Sequence, residues 1–272
     1  MEHQRHSPFF GLTTGSLLQG RYRLLRETGG GHASAVYLAQ DIESGTEVTV
    51  KVLTLPEELR ERLRREALTI RDLEHEHIAR LHDFFESGER CVLVSERVDG
   101  PDLAAYQAGS GPLEAEEVGA IGRGVALALR AAHRRGLLHR AVSPRSVLIA
   151  AETRARLIDF GVADLEGGRD YRAPELLAGK GGDGRADLYG LGLTLYFLLI
   201  GELPPRQGRD LPPPPSPDGY RPSRMRHSIP SWLDDAVAQA TAALPADRFL
   251  SAGRLAEALT PGQLVPPVGA SR

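Results

Sequence analysis

The chain has 272 residues, with 33 basic and 36 acidic side chains and a formal net charge of −3. A chain of this length forms one large domain or two smaller ones and needs no disulfide or metal to stabilise its core. Its single cysteine excludes an internal disulfide, and the small net charge does not suggest a nucleic-acid partner. The N-terminus lacks the apolar stretch of a signal peptide, and no apolar run reaches the roughly 20 residues of a membrane span. We therefore expect a cytoplasmic protein with no membrane span.

Short β-strands are predicted in the first part of the chain. Five runs rich in Val, Leu, Tyr and Phe are separated by glycine-bearing turns, at residues 21–27, 35–40, 47–53, 78–86 and 90–97. One amphipathic helix interrupts them at residues 57–73, where apolar residues recur at steps of three and four. This part of the chain is predicted to form a strand-rich lobe with one helix.

Helices dominate the predictions after residue 100. They fall at residues 113–135, 187–200, 231–244 and 251–259, with Gly136 ending the first and Ser231 and Ser251 as N-caps of the last two. The helix at 187–200 is apolar on all sides, which is typical of a buried central helix. The predicted organisation is an α+β chain with a disordered N-terminus at 1–14, an N-terminal lobe at 15–98, a C-terminal lobe at 99–260 and a disordered tail at 261–272.

Lysine is rare in this chain, since 33 basic residues include only Lys51 and Lys180 as lysines. Lys51 lies inside the apolar strand sequence Val-Thr-Val-Lys-Val. Arginine and lysine are not interchangeable at buried positions, so a lysine here indicates a specific role.

A glycine turn at residues 29–31 precedes this lysine. Consecutive glycines let backbone N–H groups approach phosphates closely, although an ordinary hairpin turn explains them equally well. The order of several motifs along the chain is stronger evidence than the glycines alone. The glycine turn is followed by Lys51, by the helical Glu66 and by Asp-Phe-Gly at 159–161. A Lys51–Glu66 ion pair can aim the ammonium group at phosphates, and Asp159 can hold a magnesium ion. The ordered set predicts a nucleotide site.

These motifs resemble the protein kinase superfamily, specifically the eukaryotic-like (Hanks-type) serine/threonine kinases of bacteria, over residues 15–260. Residues 93–98 resemble the hinge, in which the backbones of Glu96 and Val98 would face adenine. His139-Arg140 opens the catalytic loop, and Ala-Pro-Glu at 173–175 closes the activation segment. The resemblance implies a bilobal protein-kinase-like fold, with a strand-rich N-lobe that contains helix αC and a mainly helical C-lobe. It also implies ATP and Mg²⁺ as cofactors.

The resemblance assigns roles to individual positions. Asp187 would brace the catalytic loop, and Arg248 would pair with Glu175. A stacked spine would consist of Ile70, Leu81, His139 and Phe160. The nucleotide would be bound by Gly29, Gly31, Val36, Lys51, Glu66, Glu96, Val98, Asp102, Leu148 and Asp159, of which Asp159 would also bind the metal.

The catalytic loop departs from the family pattern H-R-D-x-K-P-x-N, since residues 139–146 read His-Arg-Ala-Val-Ser-Pro-Arg-Ser. Ala141 replaces the aspartate that orients and deprotonates the substrate hydroxyl, and a methyl group cannot accept a proton. Ser143 replaces the lysine at the γ-phosphate, and Ser146 replaces the asparagine that coordinates a second metal. We therefore predict no catalytic residue and a pseudokinase that acts through protein partners.

Two functions remain open from the sequence. One is a regulatory or scaffold module that binds ATP, and the other is an active or weakly active serine/threonine protein kinase that phosphorylates a protein. The trio of Lys51, Glu66 and Asp159 fits retained nucleotide binding, but it also fits an ion-pair network inherited from an active ancestor. Ser34 and Thr49 replace residues of the family's nucleotide site and weaken that prediction. Residues 159–175 contain no serine or threonine, so phosphorylation of such a residue cannot control this segment.

Other segments have ordinary and functional explanations. The histidines at 75–77 suggest a metal cluster, but the family has a histidine-rich loop there. The proline-rich run at 210–217 is either a docking segment or a solvated loop. The arginine-rich segment 60–65 is either a solvated helical face or a partner surface. Cys91 is predicted to be a core strand residue, and Tyr171 a packing residue.

Overall fold

The computed structural model describes residues 11–30, 34–150, 154–162, 169–204 and 219–262. The chain divides into two compact units, one of Met1–Glu74 and Ala79–Val98 and the other of His75–Ile78 and Asp99–Arg272. We call them the N-terminal unit and the C-terminal unit. Gly31, the proline-rich run at 210–217 and most of the two predicted disordered ends lie outside the described residues.

The N-terminal unit is built on a six-stranded antiparallel sheet in the order β1-β2-β3-β4-β6-β5. Its strands are β1 (Leu17–Leu18), β2 (Tyr22–Gly30), β3 (Ser34–Asp41), β4 (Glu47–Thr54), β5 (Leu81–Ser87) and β6 (Arg90–Glu96). The predicted strand at 78–86 starts too early, because Ile78 forms a bridge with Leu157 and belongs to the C-terminal unit. β1 was not predicted, since two residues carry no detectable alternation.

The sheet buries one of its faces in an apolar core. That core contains Tyr22, Leu24, Ala35, Tyr37, Ala39, Val48, Val50, Val52, Val92 and Val94. Helix α1 (Glu57–Arg71) packs on β5 and buries Leu63, Ala67 and Ile70. Because side chains alternate along a strand, Val48, Val50 and Val52 of β4 share the core face and place Lys51 on the opposite face.

The described part of the C-terminal unit is mainly helical. Its helices are α2 (Leu103–Ser110), α3 (Ala115–His133), α4 (Pro174–Leu177), α5 (Gly184–Ile200), α6 (Ser231–Ala240) and α7 (Ala252–Ala258). A short hairpin pairs β7 (Val147–Ile149) with β8 (Ala155–Leu157). α3 packs against α5 and α7, and α5 is buried along most of its length, which confirms the predicted central helix.

The helix ends confirm some predictions and correct others. Ser251 is the N-cap of α7 and accepts a hydrogen bond from the Arg254 N–H at 3.4 Å, as predicted. Ser231, by contrast, is the first residue of α6, and Pro230 is its N-cap. Pro230 has the extended backbone that proline favours, so the helix begins at the next residue. α6 also ends at Ala240 rather than at residue 244. No described helix is long and apolar enough to cross a membrane.

Candidate functional site

Lys51 is held in the middle of the N-terminal sheet. It lies opposite Val36 of β3 and Leu93 of β6, and its residue is only 6% exposed. A buried ammonium group is costly unless it is paired or hydrogen-bonded, so the strand places a cation where it needs an acceptor. Glu66 lies on α1 of the same unit, and its ion pair with Lys51 stays a prediction.

The glycine turn between β2 and β3 leaves no room for a side chain at Gly30. Gly29 lies opposite Val36, and a Cβ there would meet open space. Gly30, by contrast, has φ +151°, and a Cβ at this position would lie 2.5 Å from the Ser34 carbonyl oxygen. The turn therefore requires glycine at residue 30, which we had not singled out among the nucleotide residues.

The last strand of the N-terminal unit carries Glu96, a predicted adenine contact. The Glu96 N–H donates to the Arg80 carbonyl oxygen at 2.8 Å, and its carboxylate accepts the Arg80 N–H at 3.2 Å. Because the N–H is used by the sheet, an adenine contact from this residue would have to come from its carbonyl oxygen. Val98, the other predicted hinge contact, is the last residue of the unit.

Two predicted nucleotide residues of the C-terminal unit are neighbours. Asp102 and Leu148 form an antiparallel bridge, and the Asp102 carboxylate accepts the Ala105 N–H at 2.7 Å as the N-cap of α2. The approach of these segments depends on Gly100, because a Cβ there would lie 1.8 Å from the Ile149 carbonyl oxygen. Neither Gly100 nor α2 was predicted, although Asp102 is a residue type that commonly caps the start of a helix.

Asp187 of α5 holds the start of the catalytic loop through hydrogen bonds, which confirms its predicted bracing role. Its carboxylate accepts the backbone N–H groups of His139 at 3.0 Å and Arg140 at 2.6 Å. His133 donates from Nε2 to the same carboxylate at 2.8 Å. Burial acts to raise the pKa of Asp187, but the hydrogen bond from His133 and the nearby histidines outweigh it and hold this pKa below its usual range.

The three positions that lack the family's chemical groups are all buried. Ala141, Ser143 and Ser146 are 5%, 8% and 5% exposed. The Ser146 hydroxyl donates to the Ser143 carbonyl oxygen at 2.9 Å and accepts the Ser143 N–H at the same distance. It therefore serves the short 3-10 turn Pro144–Ser146 rather than a ligand position.

Asp159 follows β8 beside this turn. The Ile158 N–H donates to the Ser146 carbonyl oxygen at 2.9 Å, and His139 Nε2 donates to the Ile158 carbonyl oxygen at 2.8 Å. Asp159 itself has φ +68°, a left-handed conformation that costs a non-glycine residue about 1–3 kcal/mol and persists only where neighbours enforce it. The loop thus fixes the position of the predicted metal ligand.

Part of the predicted spine is present within the C-terminal unit. The rings of His139 and Phe160 lie 4.9 Å apart between centroids, edge to face at 75°. Ile70 and Leu81 are both buried in the N-terminal unit, at 5% exposure each. The His139–Phe160 contact is confirmed, and the continuous four-residue stack stays a prediction.

The end of the activation segment is anchored by the predicted ion pair between Glu175 and Arg248. The guanidinium binds both carboxylate oxygens, at 2.7 and 2.8 Å, and Arg248 is fully buried. Its remaining N–H groups donate to the carbonyl oxygens of Ala242, Ala243 and Arg185. Every donor direction of this buried cation is satisfied, which is the condition for burying a charge without a large penalty.

Tyr171 packs against the apolar cluster of Ala173, Ala186, Tyr189 and Leu193, which confirms its predicted packing role. Burial raises the pKa of its phenol. Residues 163–168 of the same segment lie outside the described residues.

The remaining candidate residues have structural roles. His77 Nδ1 lies 2.8 Å from the Ala155 carbonyl oxygen, and its ring packs so closely on Gly124 that a Cβ there would lie 2.8 Å from it. Within the described residues, no group of three or more His, Cys, Asp or Glu side chains is placed to hold a metal. Cys91 is a buried residue of β6, as predicted, and burial raises the pKa of its thiol to about 11. Arg64 of the 60–65 segment pairs with Glu86 at 2.9 Å.

Comparison with known proteins gives one consistent result. The family model for the protein kinase domain matches residues 22–212. The serine/threonine-protein kinase Pkn1 of Myxococcus xanthus is 34% identical over 88% of this chain and 38% of its own length. PknD of Mycobacterium tuberculosis is 35% identical over 87% of this chain and 39% of its own length. The chain therefore spans less than half the length of these relatives.

Solved structures agree with the sequence relatives. The PknI kinase domain of Mycobacterium tuberculosis superposes with a TM-score of 0.78 at 36% identity, over 91% of this chain and 98% of that domain. Rad53 in complex with AMP-PNP superposes with a TM-score of 0.76 at 24% identity, over 87% of this chain and 64% of that one, which supports the fold alone. These similarities confirm the predicted α+β fold, a strand-rich N-lobe and a helical C-lobe.

Proposed function

This chain belongs to the protein kinase family, in its bacterial Hanks-type serine/threonine branch, and we propose that it acts there as a pseudokinase that binds ATP and regulates a protein partner. The observation that carries the proposal is Ala141, a buried methyl group on a catalytic loop whose supporting hydrogen bonds are intact. A general base typically contributes about 10²–10⁴-fold to a rate, and a methyl group contributes none of it.

The sequence of the catalytic loop offers no carboxylate in place of the family's base. Residues 139–150 contain no Asp or Glu, and the hydroxyl of Ser146 is bonded to the Ser143 backbone. The positive charge that the family's lysine supplies is absent at Ser143 as well. Loss of base, cation and amide ligand together removes the groups that act on the transferred phosphoryl group, while the groups that fold the loop remain.

The residues that the family uses for ATP and Mg²⁺ are partly retained. Lys51 is buried on β4, where it would bind phosphate oxygens, and Asp159 has a carboxylate, the donor that Mg²⁺ prefers. When bound, Mg²⁺ neutralises phosphate charge. A side chain at Gly30 would collide with the Ser34 backbone, so this turn keeps a glycine where the family covers the phosphates. These features support nucleotide binding without transfer.

The transfer reaction is the direct test. Purified chain incubated with radiolabelled ATP and a basic protein substrate should incorporate no more label than its Lys51→Met variant. The matched gain-of-function variant carries Ala141→Asp, Ser143→Lys and Ser146→Asn together, and we expect it to acquire measurable transfer. Label incorporated by the wild type and lost in Lys51→Met would instead establish the second candidate, an active kinase, which the retention of Lys51, Glu66 and Asp159 favours.

ATP binding is tested separately by calorimetry and thermal unfolding. A ligand that binds only the folded chain stabilises it by about 2.7 kcal/mol at a hundredfold excess over Kd. We expect ATP to raise the melting temperature, and Lys51→Met to abolish the increase. If Lys51 and Glu66 form the predicted ion pair, Glu66→Gln should weaken ATP binding too. A melting curve unchanged by millimolar ATP, with and without magnesium, would leave a scaffold that binds no nucleotide.

A chain without phosphoryl transfer has to act through the molecules it binds. The proposed partner is therefore a protein, in the cytoplasm, where ATP is abundant. The near-neutral net charge argues against nucleic acid as that partner.

A further inference from the structure

We propose that the nucleotide site of this chain uses one divalent cation, held through Asp159, and forms no second cation site on the catalytic loop. The inference rests on the proposed ATP binding and refines it. Active kinases use two cations, held by the Asp-Phe-Gly aspartate and the catalytic-loop asparagine. The question is whether Ser146, which stands at the asparagine position, can replace that ligand.

The Ser146 hydroxyl already has two partners in the turn. Its O–H donates to the Ser143 carbonyl oxygen, and its oxygen accepts the Ser143 N–H, both at 2.9 Å. A hydroxyl has one donor and two lone pairs, so the donor and one lone pair are used. What remains is one lone pair of a neutral oxygen in a residue that is 5% exposed.

Serine differs from asparagine because it has a single polar atom. An asparagine side chain can bond the turn through its NH₂ group and still offer its carbonyl oxygen to a metal. In serine, metal binding would compete with the hydrogen bonds that hold the turn together. Mg²⁺ also requires near-octahedral geometry at about 2.0–2.1 Å, which a hydroxyl fixed by two other contacts satisfies poorly.

The backbone of the turn does not supply a substitute. The Ser143 carbonyl oxygen accepts both the Ser146 hydroxyl and the Ser146 N–H, the latter at 3.0 Å. The Ser146 carbonyl oxygen accepts the Ile158 N–H at 2.9 Å. The carbonyl oxygens at the two ends of this turn, Ser143 and Ser146, thus both accept hydrogen bonds that hold the fold.

Asp159 is different in kind. Its side chain ends in a carboxylate, the residue is half-buried, and the hydrogen bond between the Ile158 N–H and the Ser146 carbonyl oxygen fixes the backbone next to it. One cation can be held by this carboxylate together with nucleotide phosphates, which is a usual arrangement for Mg²⁺.

The test counts manganese ions bound per chain at saturating AMP-PNP, by electron paramagnetic resonance on the full chain. We expect one Mn²⁺ for the wild type and for Ser146→Ala, and two for Ser146→Asn. Two ions in the wild type, or one in a folded Ser146→Asn variant, would overturn the inference. If Ser146→Asn does not fold, the wild-type count still decides the matter.

The role of Asp159 is tested by removing the metal. Chelation with EDTA should weaken AMP-PNP binding to the wild type and leave the affinity of Asp159→Asn unchanged, while an equal loss in both would show that Asp159 holds no ion. Calorimetry separates this inference from the proposed function. Absence of AMP-PNP binding with or without Mn²⁺ would overturn both, whereas binding with two ions would overturn only the single-cation site.

Discussion

The catalytic loop and the framework that supports it have departed from the family pattern to very different degrees. The framework keeps its ionic groups, since Asp187 still receives three hydrogen bonds and Arg248 still binds Glu175 through two. The loop departs from the family's Asp, Lys and Asn at Ala141, Ser143 and Ser146. Removing one member of a buried ionic network leaves its partners unpaired, whereas losing a group that acts on substrate costs the fold little. The ionic groups that support the loop are therefore retained in this domain although residues of the loop itself differ from the family pattern.

The largest effect is expected from removing Arg248, the fully buried cation of the framework. Arg248→Met leaves the Glu175 carboxylate without its partner in a largely buried place, and we expect a loss of about 3–5 kcal/mol in the free energy of unfolding. Arg254→Ala, which breaks the exposed pair with Glu257, should change it by less than about 1 kcal/mol. Urea unfolding of both variants measures the difference. Similar losses in the two would show that burial does not distinguish the framework pair.

The next largest effect is expected at Asp187. Asp187→Asn removes the charge that accepts from His133 and from two backbone N–H groups, and hydrogen bonds to charged groups are worth about 1.5–3 kcal/mol. Asp183→Asn is the matched control at the start of the same helix, because asparagine keeps the helix cap and the change breaks only an exposed ion pair with Arg185, worth less than about 1 kcal/mol.

The stability difference between the wild type and Asp187→Asn should also depend on pH. Because the folded pKa of Asp187 is lowered, its contribution to stability is present above the unfolded pKa of about 3.9 and is lost as the pH falls through the folded value. The stability difference between wild type and Asp187→Asn should therefore be largest at neutral pH and shrink below pH 4. A difference that grows on acidification would contradict the assigned charge state.

The smallest effect on stability is expected at Ser146, inside the catalytic loop. If Ser146 is now a structural residue, Ser146→Ala should lower the free energy of unfolding by about 0.5–1.5 kcal/mol, the net worth of its turn hydrogen bonds. Ser87→Ala, at an exposed strand end, should leave it unchanged. Urea unfolding measures the stability of both variants. If Ser146→Ala is as stable as the wild type, the hydrogen bonds of Ser146 do not stabilise the turn and its structural role is contradicted.

Local pattern predicted the elements whose signals lie within a few residues. The strands β3 and β4 and helix α1 are recognisable because alternation or helical periodicity is strong there, and α5 is recognisable as a long run that is apolar on all sides. The cap of α7 was recognisable from Ser251. Helix α2 was missed, and Ile78 was assigned to a strand although it pairs with Leu157. A bridge between residues so far apart in sequence leaves no local periodicity to detect.

For the functional site, the sequence by itself determined which chemical groups are present: the lysine on β4, the aspartate at 159 and the alanine where a base belongs. That information is covalent and needs no fold. The need for glycine at residues 30 and 100 was visible only in the tertiary structure, since it arises from atoms that approach across a turn or between segments. The commitment of the Ser146 hydroxyl to Ser143 was also decided there, because hydrogen bonds depend on distance and direction that residue identity does not specify.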